Sequence, residues 1–298
     1  MFWSEGFFGE SIIAKGPRSD VSRVRASVEN PNTFLCLKRI RVTDGQSKRM
    51  IENELTVAFT LSSYRPPNFV RIHEWYWEET TVIPTVVFVM EYCYMSFEDF
   101  LSFVKTNKSV VSPVTIAEFV RDMLSALSYI EYEGIVHQDI KPSNILWGGC
   151  WKLSDFGSIH HNNSRGFVGT ILTASPESLK CTDISSKSDV WSFGCVIWES
   201  INLDRPFRAM DLLAFQNSII GVFPISKINV STNDSRRRKI LSFLKRTILI
   251  PEPNDRPTAS CLLQMDFTNK LITLIDYANN TGLGPNDLIL NSLSQQQG

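Results

Sequence analysis

The sequence predicts an α+β fold in which a small sheet with one helix precedes a larger, mainly helical part. Strand-like runs at 33–42 and 82–90 enclose one charged helical stretch at 48–61. From Ser96 onward, apolar residues recur at the three- and four-residue spacing of helices. The boundary between the two parts is therefore expected at 91–95, and such a junction is where small-molecule sites are preferentially found.

Two helices of the larger part can be located from their apolar patterns. Apolar residues at 116–130 line one helical face, and Thr115 with Glu118 is expected to form the capping box. The run at 190–198 is apolar nearly all round, which predicts a helix buried in the centre of this part. Asp189 opens that helix and is expected to be its N-cap.

Composition and charge exclude several classes of protein. With 298 residues, 43% hydrophobic content and a net charge of −1, the chain can bury a large core and is neither disordered nor fibrous. The near-zero charge gives no reason to expect a nucleic-acid partner. The one dense basic run, Arg236 to Lys239, follows a cap-like segment at 233–235 and is interpreted as a solvated helix start.

The expected location of the protein is intracellular, in the cytoplasm, the nucleus or both. The six cysteines contain no Cys-x-x-Cys pair and are interpreted as free thiols. The first residues lack a basic region followed by a long apolar stretch, so no signal peptide is predicted. Nor is any apolar run long enough to span a bilayer.

A hairpin is predicted in the larger part, because strand-like runs lie on both sides of Gly148–Gly149. This dipeptide suits a two-residue turn with positive φ, and counting outward from it places Trp147 opposite Cys150. Asn144 and Asp155 then lie at the open end of the hairpin, where their oxygens can converge on one ion. Mg²⁺ takes one or two protein oxygens and completes its shell with phosphate and water, so two ligands are enough.

Asp155 alone is best explained by turn chemistry, and its significance comes from the motif that precedes it. That motif is the run His137-Gln138-Asp139-Ile140-Lys141-Pro142-Ser143-Asn144, with Asp155-Phe156-Gly157 downstream. The pair resembles the catalytic loop His-Arg-Asp-x-Lys-Pro-x-Asn and the metal-binding turn Asp-Phe-Gly of the eukaryotic protein kinases. The resemblance implies that Asp139 accepts the proton of the substrate hydroxyl, Lys141 neutralises the γ-phosphate, and Asn144 and Asp155 hold magnesium.

The first part of the chain resembles the nucleotide-binding strand of the same family. Cys36 and Lys38 point the same way on one strand, and the resemblance places Cys36 over the adenine and Lys38 on the α- and β-phosphates. Lys38 then needs an anionic partner. Glu54 is preferred to Glu52, because Glu54 lies two helical turns before Leu61 and beside the apolar face of its helix.

The segment 13–21 can be aligned with the kinase pattern Gly-x-Gly-x-x-Gly-x-Val, which covers the phosphates. Only the middle glycine survives, as Gly16, whereas Ala14 and Ser19 carry a Cβ that limits close approach of the backbone to phosphate. Further contacts to the nucleotide are implied by the resemblance alone. The residues concerned are Ile13, Val21, Met90, Glu91, Cys93 and Leu146.

The segment 169–177 resembles the end of a kinase activation segment and bears on the choice of substrate. Thr170 together with Lys141 matches the serine/threonine-specific pattern. The resemblance implies that Glu177 pairs with Arg256, and that Asp189 also braces the backbone of the catalytic loop.

Gln138 stands where most kinases have an arginine that receives a phosphate placed on the activation segment. A neutral amide cannot form that charge-assisted, bidentate pair. We therefore expect activity to depend little on phosphorylation of Ser164, Thr173 or other sites in this segment.

These observations predict a two-lobed protein kinase fold. An N-lobe at 1–90, with a small antiparallel sheet and one main helix, is joined by a hinge at 91–95 to a mainly helical C-lobe at 96–270 and a tail at 271–298. The predicted function is ATP- and Mg²⁺-dependent phosphorylation of Ser and Thr in protein substrates. The alternative is a pseudokinase that keeps the fold as a binding or scaffold module. A small-molecule phosphotransferase would not need the 169–177 segment, and the oligomeric state is left open.

Overall fold

The computed structural model describes residues 7–26, 33–62, 66–78, 82–161, 169–217, 223–227 and 234–281. The chain divides into two compact units. The first contains Met1–Tyr94 with Asp155–Gly157, and the second contains Met95–Ser154 with Ser158–Gly298.

The first unit is an antiparallel sheet with one long helix. Its strands are β1 (Phe8–Lys15), β2 (Ser19–Arg25), β3 (Phe34–Arg41), β4 (Ile72–Glu78) and β5 (Thr85–Glu91), and its helix is α1 (Gly45–Ser62). The strands pair in the order β1-β2-β3-β5-β4. Because side chains alternate along a strand, Leu35 and Leu37 join a buried cluster with Val24 on one face, whereas Lys38 points to the opposite face. The predicted sheet with one helix is confirmed.

Helix α1 is fixed at its start by a reciprocal cap. The Ser47 backbone N–H donates to Asp44 Oδ1 at 2.7 Å, and the Asp44 backbone N–H donates to Ser47 Oγ at 3.1 Å. From this start, Ile51, Glu54 and Val57 are buried at steps of three residues. The buried face of the helix therefore carries a carboxylate.

The second unit is mainly helical. Its helices are α2 (Phe97–Thr106), α3 (Pro113–Tyr132), α4 (Pro176–Leu179), α5 (Ser186–Asn202), α6 (Ala209–Asn217), α7 (Ser235–Phe243), α8 (Ala259–Gln264) and α9 (Asp266–Thr281). Its short strands are β6 (Met95–Ser96), β7 (Ile135–Val136), β8 (Ile145–Trp147), β9 (Trp151–Leu153) and β10 (His160–His161). Together the two units give the predicted α+β fold class. The hinge role of 91–95 and the tail role of 271–298 stay predictions.

Helix α5 lies at the centre of the second unit, as its apolar sequence predicted. Every side chain from Ser188 to Trp198 is buried. Phe193 of α5 stacks on Phe119 of α3, with ring centroids 6.0 Å apart. The core of the unit is thus built around α5 and α3.

Two predicted helix caps are wrong. Helix α3 is capped by Ser112, whose Oγ accepts from the Thr115 N–H at 3.0 Å, because Pro113 favours an earlier first turn. Glu118 is instead a buried residue of the helix. The N-cap of α5 is Ser185, and Asp189 lies inside the helix, where its carboxylate bonds to another segment.

The predicted register of the β8–β9 hairpin is wrong by one residue. Trp147 lies opposite Trp151, not Cys150, and their rings meet edge to face at 5.0 Å. Gly149 has φ +89°, whereas Gly148 is not among the residues with positive φ, so the two-residue turn does not form. Cys150 joins the loop instead, and Trp151, which is fully buried, begins β9.

Two properties of the chain follow from the described residues. Among them, no helix is long and apolar enough to cross a membrane. The six cysteines are free thiols, in agreement with the prediction.

Candidate active site

Lys38 of β3 is the buried cation of the first unit. It forms an ion pair with Glu54 of α1 and a second one with Asp155, whose Oδ1 lies 2.8 Å from the Lys38 Nζ. Burial opposes the charge, but the Asp155 and Glu54 carboxylates outweigh it, so the pKa of Lys38 is raised. Glu52, the rejected alternative, is exposed. The structure therefore brings Lys38, Glu54 and Asp155 together.

The turn that carries Asp155 is anchored to the first unit. Asp155 has φ +63°, and Phe156 is buried against Phe69 with ring centroids 6.0 Å apart. Asn53 of α1 donates from Nδ2 to the Gly157 carbonyl at 2.9 Å. The helix that supplies Glu54 thus also holds the backbone next to Asp155.

The segment 13–21 forms the β1–β2 hairpin. The Gly16 N–H donates to the Ser19 carbonyl at 2.8 Å, and a Cβ on Gly16 would lie 3.1 Å from that oxygen. Arg41 donates to the Gly16 carbonyl at 2.9 Å and forms an ion pair with Asp20. Arg41 fixes the tip of the hairpin, a role that could not be predicted from the sequence because only the folded β3 brings this side chain there.

The other predicted nucleotide-contacting residues of the hairpin follow its register. Ala14 pairs with Val21, and Val21 pairs with Lys38 on the next strand. Ile13 and Ala14 are exposed, and Val21 is half-buried.

Three residues predicted to contact adenine lie together in the first unit. Cys36 pairs with Met90 across β3 and β5, and the Cys36 thiol accepts a hydrogen bond from the Cys93 N–H. Burial raises the pKa of Cys36 to about 11, although that hydrogen bond opposes the shift. Glu91 ends β5, and its carboxylate accepts from the Arg71 N–H at 2.7 Å.

The second unit gathers three polar side chains around the Asp139 carboxylate. Its Oδ2 accepts from Lys141 Nζ at 2.7 Å and from Asn144 Nδ2 at 3.0 Å. Its Oδ1 accepts from Thr170 Oγ1 at 2.7 Å, and Lys141 Nζ also donates to that hydroxyl at 3.2 Å. The predicted catalytic residues Asp139, Lys141 and Asn144 therefore form one hydrogen-bonded cluster with Thr170.

A buried layer holds the backbone of this loop. The Asp189 carboxylate accepts from the N–H of His137 at 2.7 Å and from the N–H of Gln138 at 2.8 Å. Asp139 N–H donates to His137 Nδ1 at 3.2 Å, so His137 Nε2 carries the proton donated to the Ser154 carbonyl at 3.0 Å. Asp189 thus makes the contacts expected of a brace, and the part played by the His137 ring was not predicted.

Gln138 is strained and incompletely satisfied. Its φ is +64°, a left-handed conformation that is costly for a residue with a Cβ. Its side chain is buried, and neither its oxygen nor its nitrogen has a hydrogen-bond partner among the described residues. Gly169 packs on its backbone so closely that a Cβ on Gly169 would lie 2.3 Å from the Gln138 carbonyl oxygen.

Asn144 ends a short 3₁₀ turn directly before β8. Its Nδ2 donates to the Asp139 backbone carbonyl at 2.9 Å as well as to the Asp139 carboxylate, and its own carbonyl accepts from the Ser154 N–H at 3.0 Å. Leu146 follows in β8, where it is half-buried and pairs with Ser96 of β6.

A buried ion pair fixes the end of the segment that begins at Gly169. Glu177 of α4 accepts from Arg256 Nη1 at 2.7 Å and Nη2 at 3.2 Å, as the resemblance implied. Arg256 also donates to backbone carbonyls, among them that of Lys187 at 2.6 Å. Arg256 outweighs the effect of burial and lowers the pKa of Glu177.

The residues proposed for magnesium fit that ion in their chemistry. The Asn144 amide nitrogen is committed to two acceptors, which leaves the amide oxygen as the donor to a cation. The Asp155 side chain is 42% exposed. Among the described residues, no cluster of three His, Cys, Asp or Glu could hold a metal unaided. A sparse set of oxygens suits Mg²⁺, which keeps water and phosphate in its shell.

The predicted site residues therefore fall into two sets. The first unit holds Asp155 and the residues assigned to the nucleotide other than Leu146. The second unit holds Leu146 with the predicted catalytic residues Asp139, Lys141 and Asn144. The action of both sets on one substrate, and the convergence of Asn144 and Asp155 on one ion, stay predictions.

Comparison with known proteins gives a consistent result. A relative from Dictyostelium discoideum, "3-phosphoinositide-dependent protein kinase B", is 28% identical over 78% of this chain and 25% of its own length. The rat "Serine/threonine-protein kinase TAO3" is 27% identical over 82% of the chain and 27% of its length. The mouse "Serine/threonine-protein kinase Nek1" is 28% identical over 90% of the chain and 21% of its length.

The chain thus spans about a quarter of the length of these relatives. A family model described as the protein kinase domain matches residues 10–268, which is most of the sequence. The chain therefore belongs to the protein kinase domain family.

Proposed function

We propose that this chain transfers the γ-phosphate of ATP to serine and threonine hydroxyls of protein substrates. The observation that carries the proposal is the arrangement of donors around Asp139. Its Oδ2 accepts from both Lys141 and Asn144, which uses the two lone pairs of that oxygen. Its Oδ1 accepts only from Thr170 among the described residues, so one lone pair is left to accept a substrate hydroxyl.

Gly169 supports the same assignment of Oδ1. A Cβ at this position would lie 3.4 Å from Oδ1, so the glycine leaves space beside the oxygen that is proposed to accept the proton. Its φ of +119° is readily available only to glycine.

The remaining residues are proposed to position and neutralise phosphate. Lys38, held by Glu54, binds the α- and β-phosphates, and Lys141 neutralises charge at the γ-phosphate. Mg²⁺, held by Asn144 and Asp155, would supply further charge neutralisation on the phosphate oxygens. Phosphoryl transfer requires little covalent chemistry and much positioning, and the hydrogen-bonded cluster of each unit has a composition that suits this requirement.

The choice of Ser and Thr as acceptors rests on Lys141 and Thr170. Their side chains are in contact at 3.2 Å, and both contact Asp139, so the residues of the serine/threonine-specific pattern form one unit with the proposed base. The free thiols favour a reducing, intracellular compartment for this activity.

A pseudokinase is the second candidate, and the β1–β2 hairpin favours it. Ala14 and Ser19 replace glycines, and Arg41 holds the tip of the hairpin through the Gly16 carbonyl. A hairpin with these side chains and a fixed tip covers phosphates less closely than a glycine-rich one.

One experiment separates the two functions. The purified full chain is incubated with γ-labelled ATP, magnesium and three peptides that differ only in a Ser, Thr or Tyr acceptor. Label on the Ser and Thr peptides but not on the Tyr peptide is the expected result. No label on any peptide, with nucleotide binding intact by calorimetry, identifies the pseudokinase, and label on Tyr contradicts the proposed specificity.

A further inference from the structure

A polar pocket of about 400 Å³ lies in the second unit. It is bounded by the start of α5, by the π-helical turn Leu244–Ile248, by the loop at 250–258 and by α8. None of the residues assigned above to phosphoryl transfer lines it. The pocket therefore has no place in the proposed reaction.

Two cations in this pocket donate hydrogen bonds to backbone carbonyls. Lys187 Nζ donates to the Asn254 carbonyl at 3.2 Å, and Arg246 Nε donates to the Ser242 carbonyl at 3.3 Å. Neither side chain forms an ion pair in the part of the chain that is described. Arg256 lines the same pocket, but its charge is neutralised by Glu177. The Asp255 carboxylate also lines the pocket, so the two cations leave it with a net positive charge.

The sequence next to the pocket strengthens this positive field. Between Ser235 and Thr247 there are six Lys or Arg residues and no Asp or Glu, although the whole chain has a net charge of −1. Asp234, directly before this stretch, pairs with Arg237 and compensates one of the six. This stretch contains the basic run at 236–239, and helix α7 continues directly into the turn that carries Arg246. A local excess of one charge attracts ligands of the opposite charge.

The shape and the other lining residues favour a peptide over a nucleic acid. The pocket is an open depression, and Ile250, Pro257 and Met265 supply apolar surface. Among the described residues, no aromatic side chain lines the pocket to stack on a base, and the Asp255 carboxylate would repel a continuous phosphate backbone. Asp255 can instead accept a peptide N–H beside the anionic group.

We propose that this pocket, with the basic surface of α7, docks an acidic peptide segment of a protein partner. A carboxylate or phosphate side chain of the peptide binds between Lys187 and Arg246, and a neighbouring apolar side chain packs on Ile250 and Met265. Charge-assisted hydrogen bonds of this kind are the stronger class in proteins. The surface recruits a substrate or a regulator and leaves the chemistry at Asp139 unchanged.

The electrostatic potential in the pocket can be measured without knowing the partner. Cys261 lines the pocket and is exposed, so its reaction rates with charged reagents report that potential. Cys181 is also exposed and does not line the pocket, so it serves as an internal control. The full chain is treated at low salt with a sulfonate-bearing or a quaternary-ammonium-bearing thiosulfonate. The rate of modification is followed at each cysteine by peptide mass spectrometry.

We expect Cys261 to prefer the anionic reagent to the cationic one, and this preference should be several-fold, up to about tenfold, stronger than that of Cys181. The reason is that the net positive charge of the pocket acts on Cys261 within a Debye length. Double substitution of Lys187→Gln and Arg246→Gln should abolish the preference. Equal preferences at the two cysteines, or a preference that survives the double substitution, would overturn the proposal.

Binding is then tested with fluorescent peptides of one acidic sequence that carry phosphoserine, glutamate or serine at the central position. The proposal predicts binding of the first two, and their ratio identifies phosphate or carboxylate as the preferred group. Arg246→Glu should weaken binding about tenfold or more, whereas Lys105→Glu, the same charge change at an exposed site outside the pocket, should leave it within about twofold.

Three results would contradict the docking proposal. The first is that the serine peptide binds as tightly as the phosphoserine and glutamate peptides. The second is that Arg246→Glu and Lys105→Glu lose the same amount of peptide affinity. The third is that a single-stranded oligonucleotide binds more tightly than any peptide. Activity on a generic substrate should be equal in wild type and Arg246→Glu. A failure of docking is therefore distinguishable from a failure of the catalytic proposal.

Discussion

Replacement of Glu177 by glutamine should destabilise the second unit strongly, because it removes the counter-charge of a buried arginine. The Arg256 side chain is fully buried and binds Glu177 through two parallel N–H···O bonds of 2.7 and 3.2 Å. Glutamine keeps one acceptor oxygen, loses the charge and turns an amide N–H₂ toward the guanidinium. Breaking a buried pair from one side costs about 3–5 kcal/mol, a large fraction of the roughly 5–15 kcal/mol that stabilises a typical domain.

The measurement is urea denaturation of both proteins at neutral pH, followed by tryptophan fluorescence. Asp266→Asn is the matched control, because it breaks the Lys270–Asp266 pair, whose side chains are 75% and 80% exposed. An exposed pair of this kind contributes less than about 1 kcal/mol. Equal free energies of unfolding for the two variants would refute the argument from burial.

The difference between wild type and Glu177→Gln should also depend on pH. The folded pKa of Glu177 is lowered, so its carboxylate stabilises the protein above the unfolded pKa and loses that contribution as the pH falls through the folded value. The gap in unfolding free energy is therefore largest at neutral pH and narrows in acid. Turnover should fall as well, because Glu177 anchors the segment whose Thr170 bonds to Asp139 at 2.7 Å.

Three further predictions test other parts of the structure. Gly169→Ala should lower turnover about tenfold or more and leave nucleotide binding intact, because the new Cβ would lie 2.3 Å from the Gln138 carbonyl oxygen. The control is Gly149→Ala, which should keep full turnover, because Gly149 also has a positive φ but has no atom within 4 Å of a Cβ. Glu118→Gln should be more stable than wild type at pH 8 and equally stable at pH 4.5. Burial raises the pKa of Glu118 to about 7, so ionisation of its carboxyl group in the folded protein costs stability as the pH rises through that value. A difference in calorimetric Tm that does not change with pH would contradict this prediction. Ser164→Ala and Thr173→Ala should each keep turnover within about twofold of wild type, because Gln138 cannot form a charge-assisted pair with a phosphate group. Loss of turnover in either variant, measured with γ-labelled ATP, would show that activity depends on phosphorylation of this segment. Ser164 lies outside the described residues.

The sequence predicted contacts that depend on periodicity and on motif order. Glu54 could be chosen over Glu52 because burial at three-residue steps along α1 leaves Glu52 on the exposed side. The Glu177–Arg256 pair could be anticipated because both residues belong to recognisable motifs. Contacts of this kind can be predicted because they depend on the spacing of residues along the sequence.

The errors lie where local alternatives have nearly equal energies. Ser112 and Thr115 are both good N-caps, and Pro113 decides between them only through the geometry of the first turn. The turn after Trp147 could hold two or three residues, and the burial of Trp151 selects the longer loop. The proline therefore decides the helix cap, and the burial of Trp151 decides the length of the hairpin loop.

Other features depend on distant parts of the chain and could not be read from local sequence. Arg41 reaches the hairpin tip only because β3 lies beside β2. The left-handed backbone of Gln138 and its carboxylate partner Asp189 are 51 positions apart in sequence. The two unpaired cations of the polar pocket likewise come from separate segments of the second unit.

The most direct test of the central claim is the turnover of Asp139→Asn relative to wild type, with γ-labelled ATP, magnesium and a Ser-containing peptide. Asparagine is nearly the same size and keeps one oxygen, but it cannot take up the proton of a substrate hydroxyl. We predict a loss of turnover of about 10² to 10⁴-fold with unchanged nucleotide affinity by calorimetry. Equal turnover in the two proteins would contradict the role of Asp139 as the base that activates the acceptor hydroxyl.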